Sequence, residues 1–503
     1  MTKGIKIEKI DIFTPELISE LSKTLLKGKR GLNETFLYLK RSDTIGIIIR
    51  DGEKKDEIVA MSAFSLVETV GLYQEFLNSR IAAHLREEGA GKRVLIGGIY
   101  YNNESSIRDV LQLLISETLA DCLMFDFTYA IYHPHGYKDV SQFLLDTLDR
   151  QGFTPLEEGL KDDVIYKVDM KFPVVLIQNM EARIKYPFNQ NERILEVIDL
   201  AHKNLQSSAA KMYPNTLILS VNQEIIHHKL IGMITAINGV PKEPQQVRKL
   251  GELMCVPFGK ILNGFAVPNT VTKTLHTEKY FDSEIKRFKI KEYPNYSKLY
   301  NQVKIIKSFD RGVILVDDLL HKGYRIRELD PMLKAENIDV KKIVVGILSG
   351  RGKDLMTIQD RMVESAYFVP NLRVWFLEST MYPFIGGDSV EREGLLMNSG
   401  LINSINLIMP YVSPTFLNGV PREKVYDFSM ECLKNAREIL VALEEEYQEL
   451  FQKNLTLNRL GEAILSPKCP DTGACMAYDF NLAPSVFVAN DIEKLIRLKS
   501  TVL

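Results

Sequence analysis

The chain has 503 residues, 45% of them hydrophobic and 25% charged, with 63 Lys and Arg against 65 Asp and Glu. That is an ordinary globular balance without a footprint for nonspecific nucleic-acid or membrane-surface binding, so any anionic ligand must be held by a local constellation. Five cysteines without regular spacing argue for a reducing compartment rather than a disulfide framework. The apolar stretches near Val94, Val174, Val313 and Ile405 are too short to span a bilayer, and Lys3, Lys6 and Glu8 interrupt any early signal-like run. A cytoplasmic protein of about three domains is the expectation.

Residues 1–170 read as mixed α+β. Phe13 to Leu26 predicts a helix. Thr44 to Arg50, Glu57 to Glu68 and Arg93 to Tyr101 predict strands, the first ending in an Asp51-Gly52 turn. Ser105 or Ser106 caps a helix to Leu123, Phe127 to Tyr132 is a strand, and Ser141 to Arg150 is a helix. Gln151-Gly152-Phe153 follows, and Val164 to Val168 closes the unit. The histidines of His133-Pro134-His135-Gly136 supply two metal ligands at most, and a surface loop is the expectation there. This order, with a helix, Gly152-Phe153 and a strand at its end, resembles a GNAT-type N-acetyltransferase. The resemblance implies an acetyl-CoA pyrophosphate on a glycine-containing loop, and a pantetheine groove between the strands near Gly98 and Phe127. At the loop's place stands Tyr101-Asn102-Asn103-Glu104-Ser105-Ser106-Ile107, which lacks glycines and carries a repelling carboxylate. A GNAT-like scaffold without acetyl transfer is therefore expected, and acetyl-CoA is disfavoured as a cofactor.

Residues 171–400 read as a parallel α/β domain. His227 and His228 precede an apolar stretch ending in an Asn238-Gly239 turn, and are read as structural. Leu253 to Pro257 and Ile261 to Val267 predict strands, and Asn269 or Thr270 caps a helix over 271–279. That helix start, with Thr270 and Lys273, makes a pyrophosphate cradle or else a plain capped helix. The basic, aromatic segment Tyr280 to Val303 reads as a mobile loop, either a hood over an anion or a solvated connection. Val313 to Val316 is a buried strand, Asp317 and Asp318 cap it, and Ile326 to Ala335 is a helix after a turn at Gly323. Val340 to Ser349 is the next strand, followed by a basic Gly350-Arg351-Gly352-Lys353 loop suited to a phosphate or carboxylate. Arg373 to Glu378 is a further strand before a Gly386-Gly387-Asp388-Ser389 turn. Residues 401–503 form a mainly helical extension whose Glu438 to Asn454 helix is amphipathic, a cap or dimer contact. Cys469 and Cys475 have the wrong spacing for a zinc site.

The run Val313 to Arg325, a hydrophobic strand, two acids, two hydrophobics and a glycine loop, resembles the PRPP signature of type I phosphoribosyltransferases. The wider architecture is also similar to the C-terminal parts of bacterial cytidyltransferase-related proteins. The resemblance implies Asp317 and Asp318 on ribose hydroxyls, directly or through Mg²⁺. It implies Lys322, Gly323 and Arg325 on the 5′-phosphate, Thr270 and Lys273 on pyrophosphate, and Arg351 and Lys353 beside them. Histidine, lysine, tyrosine and arginine stand where the family carries small hydroxyl residues. The leading expectation is a PRPP- or nucleotide-dependent transferase acting on a small phosphorylated substrate. A non-catalytic nucleotide-binding protein and a GNAT-type N-acyltransferase are the alternatives. No nucleic-acid or membrane partner is expected, and a homo-oligomer is.

Overall fold

The structure is a computed structural model that describes residues 4–26, 32–68, 71–76, 79–87, 92–102, 107–125, 127–133, 140–156, 165–246, 249–262, 264–391, 397–398, 401–414, 417, 419–471 and 478–502. Two compact units divide the chain: Met1–Val175 with Tyr213–Val221 and Phe368–Arg373, and Leu176–Met212 with Asn222–Tyr367 and Val374–Leu503.

The first unit is built on a mixed sheet. Its strands are β1 (Ile5–Ile10), β2 (Thr44–Asp51), β3 (Glu57–Val67), β4 (Arg93–Tyr101), β5 (Tyr129–Tyr132), β6 (Thr154–Pro155), β7 (Tyr166–Gln178) and β8 (Thr216–Asn222). The order is β1-β2-β3-β4-β5-β7, with β6 and β8 also on β7. Four strands run as an antiparallel meander, β4 pairs β5 in parallel, and β5 pairs β7 antiparallel. The helices are α1 (Pro15–Lys23), α2 (Leu32–Leu39), α3 (Leu72–Phe76), α4 (Ser79–Glu87), α5 (Val110–Met124) and α6 (Gln142–Arg150). A parallel pair needs a crossover, and α5 supplies it. Twelve of its residues are buried, from Val110 to Leu123, with Gln112, Ser116, Glu117 and Thr118 among them, so the helix is enclosed on nearly every face. The mixed α+β character expected of this region is observed. The expected start of α5 at Ser105 or Ser106 lies outside the described residues, as do His135 and Glu104.

Gly152 shows why the Gly-Phe pair matters. Its φ is +91°, and a Cβ there would collide with the carbonyl oxygen of Thr216. The chain turns tightly against β8, where the Ile218 N–H donates to the Gln151 carbonyl at 3.0 Å, and Phe153 drops into the core.

In the second unit the helices are α7 (Glu192–Met212), α8 (Gln223–Ile237), α9 (Leu299–Lys307), α10 (Tyr324–Ala335), α11 (Gly350–Ile358), α12 (Glu378–Met381), α13 (Arg422–Phe451), α14 (Leu460–Ala463) and α15 (Pro484–Val502). One sheet has the order β10-β9-β13-β14-β15, from β9 (Met254–Pro257), β10 (Val271–Thr272), β13 (Val313–Leu320), β14 (Val340–Ser349) and β15 (Val363–Val369). The β10–β9, β9–β13 and β13–β14 pairs are all parallel, as the apolar runs of β9, β13 and β14 led one to expect for those three strands. A second sheet joins β11 (Thr277–Phe281), β12 (Phe288–Glu292), β17 (Asp388–Val390), β18 (Met397–Asn398), β19 (Leu401–Ile405) and β20 (Lys468–Pro470), while β16 (Val374–Leu377) leads into α12. The 30-residue α13 packs along α7 and α15.

Several expected elements differ. His227 and His228, left without an assigned element by the sequence, lie on α8, whose start Asn222 caps by accepting the Glu224 N–H at 2.7 Å. Among the described residues Ile261 to Val267 forms no strand. The helix expected over 271–279 is absent: this stretch enters two different sheets as β10 and β11. The expected loop from Tyr280 to Val303 is a β11–β12 hairpin followed by α9. At 271–281 and 288–292 sheet pairing of β-branched and aromatic residues outweighs the local turn signals. Replacing Gly152 with Ala adds both positive-φ strain and a backbone collision, so G152A should cost about 2–4 kcal/mol, read as a lower urea midpoint at unchanged slope.

Candidate functional site

Burial makes the Asp317–Asp318 pair informative. The strand β13 continues through both acids to Leu320, so they are members of the sheet and not a cap at its end. Asp317 is 3% exposed. Arg325, one residue into α10, donates from Nη1 to Asp317 Oδ1 at 2.6 Å and lies 3.7 Å from Asp318 Oδ2. The two Asp318 oxygens accept the backbone N–H groups of Lys260 and Ile261 at 2.6 and 2.7 Å. Gly259 permits this approach, since a Cβ there would overlap the Asp318 carboxylate. The turn after β9 is thus an amide nest of the kind that binds anions, and the chain's own carboxylate fills it. Burial pushes the Asp317 carboxyl up to about 6, with Arg325 opposing and Asp318 reinforcing the shift.

The other expected phosphate ligands are dispersed. Lys322 is exposed and Gly323 holds the αL position before α10, where a Cβ would strike Leu355. Thr270 is buried and its hydroxyl accepts from Asn238 Nδ2 at 3.0 Å, while the Lys273 N–H donates to the Cys255 carbonyl. Without a helix there is no helix start for them to decorate. Arg351 and Lys353 lie exposed in the first turn of α11, which Ser349 caps by accepting the Gly352 N–H at 3.1 Å.

A charged centre that sequence reasoning missed surrounds the acid pair. Glu278 on β11 is 1% exposed. Its Oε1 accepts from the Ser389 hydroxyl at 3.1 Å and from Lys468 Nζ at 3.4 Å, and Lys468 is itself buried. Lys260 Nζ stands 3.8 Å from the other oxygen. Burial alone would raise this carboxyl, but Lys260, then Lys468, the Ser389 hydroxyl and Arg325 together hold it down at about 2. Glu278 and Lys468 are 190 positions apart, and neither sits in a recognisable motif.

The second place with chemical potential is the fork between β4 and β5. Four residue pairs, Arg93–Tyr129 to Ile96–Tyr132, join these strands, and the His133 N–H donates to the Ile96 carbonyl at 3.1 Å. Beyond Ile96, β4 continues to Tyr101 against β3 alone. A bulge marks the parting: Ala63 faces Gly98 and Phe64 faces Ile96, leaving Gly97 as the extra residue. The Asn102 N–H donates to the Val59 carbonyl at 2.8 Å, so by strand alternation Tyr101 and Ile99 turn their N–H and C=O groups away from β3. Among the described residues no strand pairs that edge.

No family model matches the chain, and no curated protein matches it at the level of significance applied. Solved structures do align with about a third of it. An Arabidopsis thaliana NAA60 in complex with acetyl-CoA aligns at 12% identity over 33% of this chain and 98% of that one, with a TM-score of 0.24. A mosquito arylalkylamine N-acetyltransferase like 5b gives 10% identity, 32% and 98% coverage and 0.24. The Escherichia coli ribosomal-protein-S18-alanine N-acetyltransferase gives 7%, 33%, 93% and 0.23. All three are acetyltransferases.

Two expectations are corrected here. The PRPP- or nucleotide-dependent transferase is not upheld: the acids expected to hold ribose hydroxyls are engaged inside the chain, Asp317 by Arg325 and Asp318 by the backbone amides of Lys260 and Ile261. Mg²⁺ with PRPP falls for the same reason. The acid pair has no third ligand, and no group of three or more His, Cys, Asp or Glu suited to a metal occurs among the described residues. No helix among the described residues is long and apolar enough to cross a membrane.

Two measurements check this geometry. Replacing Asp318 with Asn removes one acceptor from the 259–261 turn and should cost about 1–3 kcal/mol in urea unfolding. Glu278, held at about 2 against an ordinary value of 4.5, contributes stability above pH 4.5 that is lost on acidification towards pH 2. That loss is roughly 3 kcal/mol, and Glu278→Gln should flatten the acid limb of the urea midpoint by a comparable amount.

Proposed function

We propose that the first unit is an acyl-CoA-dependent N-acyltransferase, with the β4–β5 fork as the place where thioester and amine meet. The observation that carries this reading is the edge of β4 from Gly97 to Tyr101, released from β5 by the Gly97 bulge. Unpaired backbone groups at the centre of a buried strand need hydrogen-bond partners. The pantetheine arm of CoA is a narrow chain with two amides, and it can take the place of a strand there. The edge lies near Gly98, as the acetyltransferase resemblance implies, but not at Phe127, where the strands are still closely joined.

The chemistry needs few groups. The amine nitrogen attacks the thioester carbonyl, the C–N bond forms, and the C–S bond breaks to release CoA as a thiol. The Ile99 N–H, turned to the open edge, is the donor placed for the oxyanion. His133 stands at the end of β5 where the strands part, and is the candidate base for the proton the amine gives up. The lack of glycines after β4 counts against a tight pyrophosphate loop, so affinity has to come mainly from the pantetheine edge.

The test is calorimetric titration of the full chain with acetyl-CoA and CoA, followed by thiol release in the presence of amine acceptors. Tyr101→Pro deletes an edge N–H at the strand's last residue and should weaken CoA binding about tenfold or more, while Tyr101→Phe keeps it and should bind normally. His133→Gln should leave binding intact and lower turnover by about 10²-fold or more. Absence of binding to either CoA form, or equal affinity in both Tyr101 variants, overturns the reading.

A further inference from the structure

Lys242 is exposed, yet the chain around it is fixed. Helix α8 ends at Ile237, and Gly239 turns the chain back at a φ of +62°, with the Val240 N–H donating to the Thr235 carbonyl at 3.0 Å. The Asn269 side-chain amide then donates to the carbonyls of Pro241 and Glu243, at 2.8 and 2.9 Å. One amide group thus grips the backbone on both sides of Lys242. The side chain is directed back over α8, where Nζ lies 2.7 Å from Nε2 of His228. Gly232, one turn further along the helix, leaves room there, since even a Cβ would touch Nζ, at 3.9 Å.

Many exposed lysines of the chain have a carboxylate partner: Lys286 pairs with Glu284 at 2.8 Å and Lys341 with Asp339 at 2.7 Å. Among the described residues no Asp or Glu oxygen comes within ion-pair distance of Lys242, and the partner it has is an imidazole. An imidazole accepts a proton only while neutral, and two cations so close would repel. Both groups are biased towards the neutral form. Partial burial lowers the Lys242 pKa, with Glu243 opposing, and burial and then Lys242 lower that of His228, with Glu243 again opposing. A lysine amine hydrogen-bonded to a neutral base, with its backbone held on both sides, is the arrangement of an activated nucleophile.

We propose that Lys242 is a modification site that takes an acyl group from a thioester, with His228 as its general base. In its amine form Nζ attacks the thioester carbonyl carbon, and the C–N bond forms. The surplus proton on that nitrogen passes to His228 Nε2, the C–S bond breaks, and the departing thiolate takes the proton and leaves as a thiol. An amide replaces the ammonium, so the surface loses one positive charge. Asn269 is a positioning residue that acts through the backbone on either side of the lysine. All three side chains belong to the second unit, and the step needs no catalysis by the first.

The test incubates the full chain with phenyl thioacetate, a thioester without any part of CoA, and reads an acetylation rate for each lysine by mass spectrometry of the digested protein. Lys242 should acetylate about fivefold faster, or more, than the carboxylate-paired Lys286 and Lys341. A smaller ratio overturns the proposal. His228→Gln keeps a hydrogen-bonding side chain on the exposed face of α8 but removes the base. It should slow Lys242 about threefold or more while Lys286 and Lys341 keep their rates. Asn269→Ala frees the backbone and should slow Lys242 by a comparable factor. An unchanged Lys242 rate in either variant also overturns the proposal. Because the small thioester bypasses CoA recognition, failure here leaves the acyltransferase reading standing, and failure of CoA binding leaves this one standing.

Discussion

A carboxylate buried in a parallel sheet has to find a cation or a set of amides, because leaving it bare costs several kcal/mol. Asp317 and Asp318 meet that demand from inside the chain. Arg325 reaches back from the first turn of α10, and the Gly259–Ile261 turn folds its N–H groups around Asp318. This one constraint ties the end of β9, the end of β13 and the start of α10 into a single knot. It also changes what the site can do. A strand, two acids and a glycine loop would read as a sugar-phosphate site if the acids faced a ligand, and here they face each other's counter-groups.

The same accounting of buried polar groups separates two places in the molecule. At the β4–β5 fork the unspent groups are backbone N–H and C=O, exposed along an edge by one extra residue at Gly97. Such an edge suits an extended, amide-bearing chain. Around Glu278 the groups are side-chain charges that answer one another, with Lys468 and Lys260 set against the carboxylate.

Much of the first unit was legible from pattern alone. Arg93 to Tyr101 is a strand with the expected bounds, and Ser141 caps α6 as a helix start should. The Gly152-Phe153 pair was visible as a turn, and its reason, the Thr216 carbonyl against Gly152, was not. The second unit was legible where apolar runs were long, as in β13 and β14. It was misread at 261–279, where good capping residues sit in a segment that pairing pulls into two sheets. Composition and periodicity report on a residue's immediate neighbours, and Thr270 and Lys273 looked like a helix start for that reason.

By itself the sequence determined most strands and helices of the first unit and the long apolar strands β13 and β14 of the second. These follow from side-chain period, β-branching and backbone freedom, all of which are local. Only the tertiary structure decided the electrostatics. Glu278 and Lys468 are 190 positions apart, and neither carries a signal until folding strips away the water between them. The partners of Asp317 and Asp318 were decided the same way, by Arg325 and the amides of Lys260 and Ile261.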